Sequence, residues 1–172
     1  MKKIFFFLAA LMLSTAIHAK VVQCSPNTNA MSWWLTQGDT LVMADGEYIE
    51  DYSITFNTPG VCVKAADGAK PVIKLTGEWT TFYITATTTF DGITFDGGDV
   101  AKYFLGVTGA ESGTLTVTNC EFRNWTYWAI SNQYETAASI DSVIVDNCLF
   151  HNGQGAAIRF CAAAPEGKHA CN

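Results

Sequence analysis

Leu115-Thr-Val-Thr-Asn-Cys-Glu-Phe-Arg-Asn124 returns further along the chain as Val143-Ile-Val-Asp-Asn-Cys-Leu-Phe-His-Asn152, at an offset of 28 (147 minus 119). Asn119, Cys120, Phe122 and Asn124 fall on Asn147, Cys148, Phe150 and Asn152. A fainter copy, Phe90-Asp-Gly-Ile-Thr-Phe-Asp-Gly97, lies upstream, with Phe95 in the place of Phe122 at an offset of 27 (122 minus 95). A fixed period of a few tens of residues marks a solenoid, in which each repeat stacks on the next because it cannot bury its apolar face alone.

Inside each copy the apolar residues alternate. Leu115, Val117, Cys120 and Phe122 match Val143, Val145, Cys148 and Phe150. Steps of two are strand periodicity. The step of three from Val117 to Cys120 predicts a bend or bulge near Asn119. Thr, Val, Ile and Phe dominate, and all favour strands. A second strand follows, since Trp128-Ala-Ile130 and Ala156-Ala-Ile158 stand at the same offset, with Phe104 expected in the same row. Coils stacked at about 4.8 Å pair each strand with its copy in parallel, so inward Cys, Phe and Asn form ladders. Asn suits a turn that needs left-handed backbone, and Gly97, in the place of Asn124, is read the same way. The fold class is therefore all-β, a right-handed single-stranded parallel β-helix of about five coils.

Residues 1–19 read as a secretory signal. Lys2 and Lys3 precede an apolar run from Ile4 to Leu13, and Ala19 supplies a small residue for cleavage. The run is too short to span a bilayer, and no other segment could, so no transmembrane segment is expected. The exported chain would be periplasmic, cell-surface or extracellular, where cysteines meet oxidising conditions. Residues 20–37 form an N-terminal entry or cap segment, in which Trp33 and Trp34 could plug the open end of the core. Residues 38–172 form the coils. Adding the same offset to Val143 leads to Cys171, so the sequence stops where another coil would begin. It reads as the N-terminal part of a longer solenoid, or as one whose C-terminal end is covered by further coils or another chain.

Net charge is −6, and removing the signal with Lys2 and Lys3 makes it −8 (−6 minus 2). That argues against nucleic acid and against a broad electrostatic grip on acidic polymers. No cofactor-binding motif is present in the sequence.

"GDTLVMADGEY", "PGVCVKAADGAKPVIKLTG" and "FDGITFDGG", within residues 37–98, resemble the opening coils of the chondroitinase B and alginate lyase family, polysaccharide lyase family six. They are also similar to β-helix domains of unknown function in secreted proteins of gut Bacteroidota. The resemblance implies a pectate-lyase-like solenoid and an extracellular polysaccharide as partner. In its enzymatic form it implies a lyase acting by β-elimination with calcium. The family's calcium-binding Asn and Glu and its catalytic Lys and Arg lie in later coils, and none can be placed on a residue here. The expectation is a secreted protein that binds or processes extracellular polysaccharide. The alternative is a non-catalytic surface or adhesion scaffold.

Candidate site residues come from the outward positions beside the inward Phe. They are Asp96, Arg123 and His151 after it and Glu121 before it, expected to cluster on one face. Such a ridge could hold a sugar acid or a metal, with Arg123 on a sugar carboxylate and His151 exchanging a proton. It could equally be a solvated face with an ion pair worth about 0–1 kcal/mol. Alternation puts Trp125 and Tyr127 on one face and Trp128 on the other, with either core packing or sugar stacking as their role. Cys120 and Cys148 read as a thiol ladder, since adjacent coils hold Cβ atoms further apart than a bridge prefers. Cys161 and Cys171 bracket a short loop and are the disulfide candidates, while the pairing of Cys24 and Cys62 stays open.

Overall fold

The computed structural model describes residues 19–27, 31, 38–108, 113–132, 141–163 and 169–171. Residues 1–18 of the expected signal, Trp33 and Trp34 lie outside the described residues. Among the described residues no helix is long and apolar enough to cross a membrane.

The chain enters through β1 (Val21–Cys24) and then repeats a triplet of strands. The first triplet is β2 (Thr40–Met43), β3 (Gly46–Glu50) and β4 (Ile54–Phe56). The second is β5 (Val61–Ala65), β6 (Pro71–Leu75) and β7 (Phe82–Ile84). The third is β8 (Thr88–Asp91), β9 (Thr94–Asp96) and β10 (Tyr103–Val107). The fourth is β11 (Thr114–Thr118), β12 (Glu121–Arg123) and β13 (Trp128–Asn132). The fifth is β14 (Ser142–Asp146), β15 (Leu149–His151) and β16 (Ile158–Arg159). First members form one sheet (β1-β2-β5-β8-β11-β14), second members another (β3-β6-β9-β12-β15) and third members a third (β4-β7-β10-β13-β16). Every pairing in the three sheets is parallel, and about four turns of β-solenoid carry the chain from the first triplet to the fifth.

Register follows the sequence period. Phe95, Phe122 and Phe150 stand opposite one another, as do Val117 and Val145. The three Phe rings stack face to face, with centroids 4.8 Å apart and planes within 5° for both pairs. This spacing is the strand spacing, so parallel pairing itself sets the rings in contact. The column continues upward through Ile73 and Tyr48. Phe56, Phe82, Phe90 and Phe104 fill the rest of the core between the sheets. Phe104 is not in the row of Ile130; Leu105 holds that place. Phe104 instead turns inward at the strand's start, between Phe95 and Phe122.

The bend at Asn119 is a corner that ends one strand and begins the next. Asn119 and Asn147 have φ of 54° and 49°, and Asn124 and Asn152 at the following corner have 59° and 57°. Asn tolerates this left-handed conformation better than other side-chain-bearing residues. Gly92 takes the place of Asn119 one turn earlier, with φ of 71°. Gly97 does not serve as expected, because the left-handed residues there are Gly98 and Asp99, with φ of 55° and 59°. Gly97 is needed for space: a Cβ on it would lie 2.5 Å from the Asn124 carbonyl oxygen of the next turn.

The two ends differ. At the first turn, Met31 is buried and its amide donates to Glu50 Oε1 at 3.1 Å, while the Tyr48 hydroxyl donates to the Cys24 carbonyl at 2.7 Å. The entry segment is thus tied to the core. At the last turn, Val143, Val145, Cys148 and Phe150 are only partly buried, and β14, β15 and β16 are outermost in their sheets. An antiparallel pair, β17 (Cys161–Ala163) with β18 (His169–Cys171), follows and sets Cys161 opposite Cys171.

Candidate functional site

The outer face of the second sheet is laid out by alternation. In each strand the residue facing inward has neighbours facing out, and the pleat repeats this on every turn. Lys74, Asp96, Arg123 and His151 therefore stand in one outward column, and Thr94, Glu121 and Leu149 in the next. All four residues expected from the sequence are brought together. Arg123 Nε donates to Asp96 Oδ2 at 3.0 Å, and Arg123 Nη1 to Glu121 Oε1 at 3.3 Å. His151 Nε2 lies 2.9 Å from the same Glu121 oxygen.

Their environments are unequal. Asp96 is nearly buried, and its other oxygen accepts from the Gly98 amide and from Asn124 Nδ2, both at 2.9 Å. Burial works against its charge. The hydrogen bonds from Asn124, Gly98 and Arg123, with the Arg123 charge, outweigh that and hold its carboxyl below the usual carboxylate range. Asp96 is thus a structural anchor that fixes the corner after β9 as well as Arg123. Partial burial opposes the Arg123 charge too, but Asp96 and Glu121 push its pKa further up. Arg123 is a fixed cation there and cannot serve as a base. Glu121 and His151 keep about a third of their side-chain surface in water. Arg123 is exposed to the same degree, so all three are members that a ligand can reach, while Asp96 is not.

Beside this column lies a shallow groove of about 560 Å³, lined by Lys70, Thr94, Asn119, Glu121, Asn147 and Leu149 among others. Its wall is a side-chain ladder along the corner. Asp91 Oδ1 accepts from Asn119 Nδ2 at 2.7 Å, and Asn119 Oδ1 accepts from Asn147 Nδ2 at 2.7 Å. Cys120 and Cys148 also line the groove. Both are free thiols, as are Cys24 and Cys62. Burial pushes the Cys120 thiol up to about 12 and raises Cys148 as well, so neither offers a thiolate nucleophile at neutral pH. Among the described residues no group of three or more His, Cys, Asp and Glu is arranged to hold a metal ion.

The aromatic residues depart from the expected alternation. Trp125 is buried, its indole N–H donates to the Gly155 carbonyl at 3.2 Å, and its ring stands edge-on to Phe150. Tyr127 and Trp128 lie outside it, with ring centroids 4.2 Å apart. The reason is the corner: residues 124–127 turn between β12 and β13, and strand alternation does not run across a turn. Trp79 and Tyr103 join the outer pair from earlier turns. Sequence reasoning missed these two, because neither stands a whole number of sequence repeats before Trp128. The signal that would have found them is position, since each stands at or just before the start of a third-sheet strand, Trp79 ahead of β7 and Tyr103 at the head of β10.

Comparison with known protein families finds no match for the chain, and no curated protein matches it. What is shown is a parallel β-helix repeat protein.

Proposed function

We propose that this chain is an exported β-helix module that binds an extracellular polysaccharide. The observation that carries the reading is the outer face of the second sheet. There the charged column of Lys74, Asp96, Arg123 and His151 and the groove beside it run along the solenoid axis. A row of outward positions set at strand spacing along the axis suits an extended polymer laid along it. The signal-like residues 1–19 and the resemblance to polysaccharide lyases support export and a sugar polymer as the partner. Binding is favoured over cleavage because Arg123 is held protonated between two carboxylates and the groove thiols are held protonated by burial.

The test is a binding screen against uronate-containing and neutral polysaccharides, with and without calcium, for wild type and Arg123→Ala. Wild type is expected to bind at least one glycan. Weaker binding by Arg123→Ala would place the sugar on the column. Failure to bind any glycan leaves the surface scaffold reading. Product absorbing near the ultraviolet edge, as β-elimination yields an unsaturated uronate, would restore the lyase.

Two further parts of the reading concern the C-terminal end. The register of β17 and β18 supports a Cys161–Cys171 bridge, because directly opposed residues bring Cα atoms within the range a disulfide spans. Non-reducing peptide mapping of the exported protein is expected to find the pair joined, and a free Cys161 thiol would remove it. The outer edges of β14, β15 and β16, outermost among the described strands of their sheets, are where further coils or another chain would add strands. Sedimentation of residues 20–172 is expected to show association, and a stable monomer would count against this.

A further inference from the structure

The corner between the second and third sheets carries a row of aromatic rings that the charged column does not use. Tyr52, Trp79 and Tyr127 are 69%, 54% and 45% exposed, although rings of this size are usually buried. They stand at the same corner of the first, second and fourth turns. The row is continuous across the last two: Trp79 packs on Tyr103 with centroids 6.3 Å apart, and Tyr103 meets Tyr127 at 5.8 Å and Trp128 at 5.7 Å. Backbone bonds lock these corners together, with the Lys102 amide donating to the Glu78 carbonyl at 3.0 Å and the Trp128 amide to the Lys102 carbonyl at 2.9 Å. The rings are therefore held on a rigid frame.

Polar groups are set among them. Lys102 Nζ lies 3.6 Å from the centre of the Trp79 ring and 2.6 Å from Glu78 Oε1. The Arg159 guanidinium lies 3.8 Å from the centre of the Trp128 ring. A surface meant for an apolar protein anchor would surround the rings with aliphatic side chains and keep charges to the rim. Here charges and rings alternate along the row. That pattern fits a ligand with C–H faces and a polar edge, which is the chemistry of a pyranose ring. The negative face of an aromatic ring attracts such polarised C–H groups; Lys102 covers one face of Trp79, and its ion pair with Glu78 stands beside the ring to meet hydroxyls. Trp79 and Tyr127 are two turns apart, roughly 10 Å at strand spacing, so an extended sugar chain with one ring on Trp79 brings a later ring to Tyr127.

We infer that this corner is a sugar-stacking subsite for an extended polysaccharide, with Trp79 and Tyr127 as its platforms. The inference rests on the polysaccharide reading above and names where the rings of that polymer sit. The test is affinity electrophoresis of the full chain in gels containing a neutral β-linked glucan, a xylan, polygalacturonate or alginate. Wild type, Trp79→Ala, Tyr127→Ala and Trp79→Phe are compared, with thermal unfolding recorded for each. For a glycan that wild type binds, both Ala variants are expected to bind at least tenfold more weakly, while Trp79→Phe retains most of the affinity. If Trp79→Ala does not fold, Tyr127→Ala carries the test. A glycan held equally by wild type and the folded Ala variants overturns the subsite and leaves the polysaccharide reading standing. No glycan held by wild type overturns both.

Discussion

Two columns one residue apart run down the second sheet, and they obey different rules. The inner one reads Tyr48, Ile73, Phe95, Phe122, Phe150, and the outer one beside it Ile49, Lys74, Asp96, Arg123, His151. Inside, side chains converge on one type because each turn presents the same space and stacked rings fill it. Outside, the residue type changes at every turn while the backbone repeats. Packing dictates the first column. The second is free to vary, and free variation is where a binding function can be placed. Asp96 stands between the two cases, outward by alternation yet nearly buried and bonded on both oxygens.

This contrast sets an order of expected effects. Phe122→Ala removes a fully buried ring stacked on both sides, and is expected to cost about 3–5 kcal/mol in equilibrium denaturation. Glu50 is the polar exception on the inner side of β3. Burial pushes its carboxyl up to about 7, against the Met31 amide bond, with the nearby Asp51 charge adding to the rise. A carboxyl that holds its proton more tightly when folded adds stability at low pH. That contribution is complete below its unfolded value of 4.5 and is lost as pH rises through about 7. The loss is expected to be of the order of 3 kcal/mol, and Glu50→Gln should flatten the profile. Asp96 has the opposite sign, because its folded pKa is lowered. Its contribution is present above the ordinary carboxylate value and is lost as pH falls through the folded one, below 3.8. Asp96→Ala leaves the Asn124 side chain and the Gly98 amide without their partner and should cost about 1–3 kcal/mol. Arg123→Ala, on the exposed side of the same column, should cost no more than about 1 kcal/mol in the same denaturation series. A loss as large as that of Phe122→Ala would erase the distinction between the columns.

How legible this was depended on which rule governed each residue. The alternation of inward and outward residues and the return of the repeat made the Phe column and the Asp96, Glu121, Arg123 and His151 cluster readable, because both follow from strand geometry repeated on each turn. Corners were read less well. Asn119 and Asn147 are identifiable as turn residues, but the repeat points to left-handed backbone at Gly97, whose role is close approach to Asn124. Alternation pairs Trp125 with Tyr127, but it stops at the corner. The repeat puts Phe104 one residue out of register because the turn from Leu105 to Ile130 is shorter than the one from Ile130 to Ile158. The near-burial of Asp96 could not be read at all, since it depends on Gly98 and Asn124 closing over it.

The stacking of successive turns is tested most directly by double-mutant cycles along the Phe column, with Phe→Leu at each position. Phe122 and Phe150, in face-to-face contact at 4.8 Å, are expected to show a coupling of about 0.5–1.5 kcal/mol. Phe95 and Phe150, two turns apart with Phe122 between them, are expected to show coupling close to zero. Equal coupling in the two pairs, or none between Phe122 and Phe150, would contradict the register on which the whole account stands.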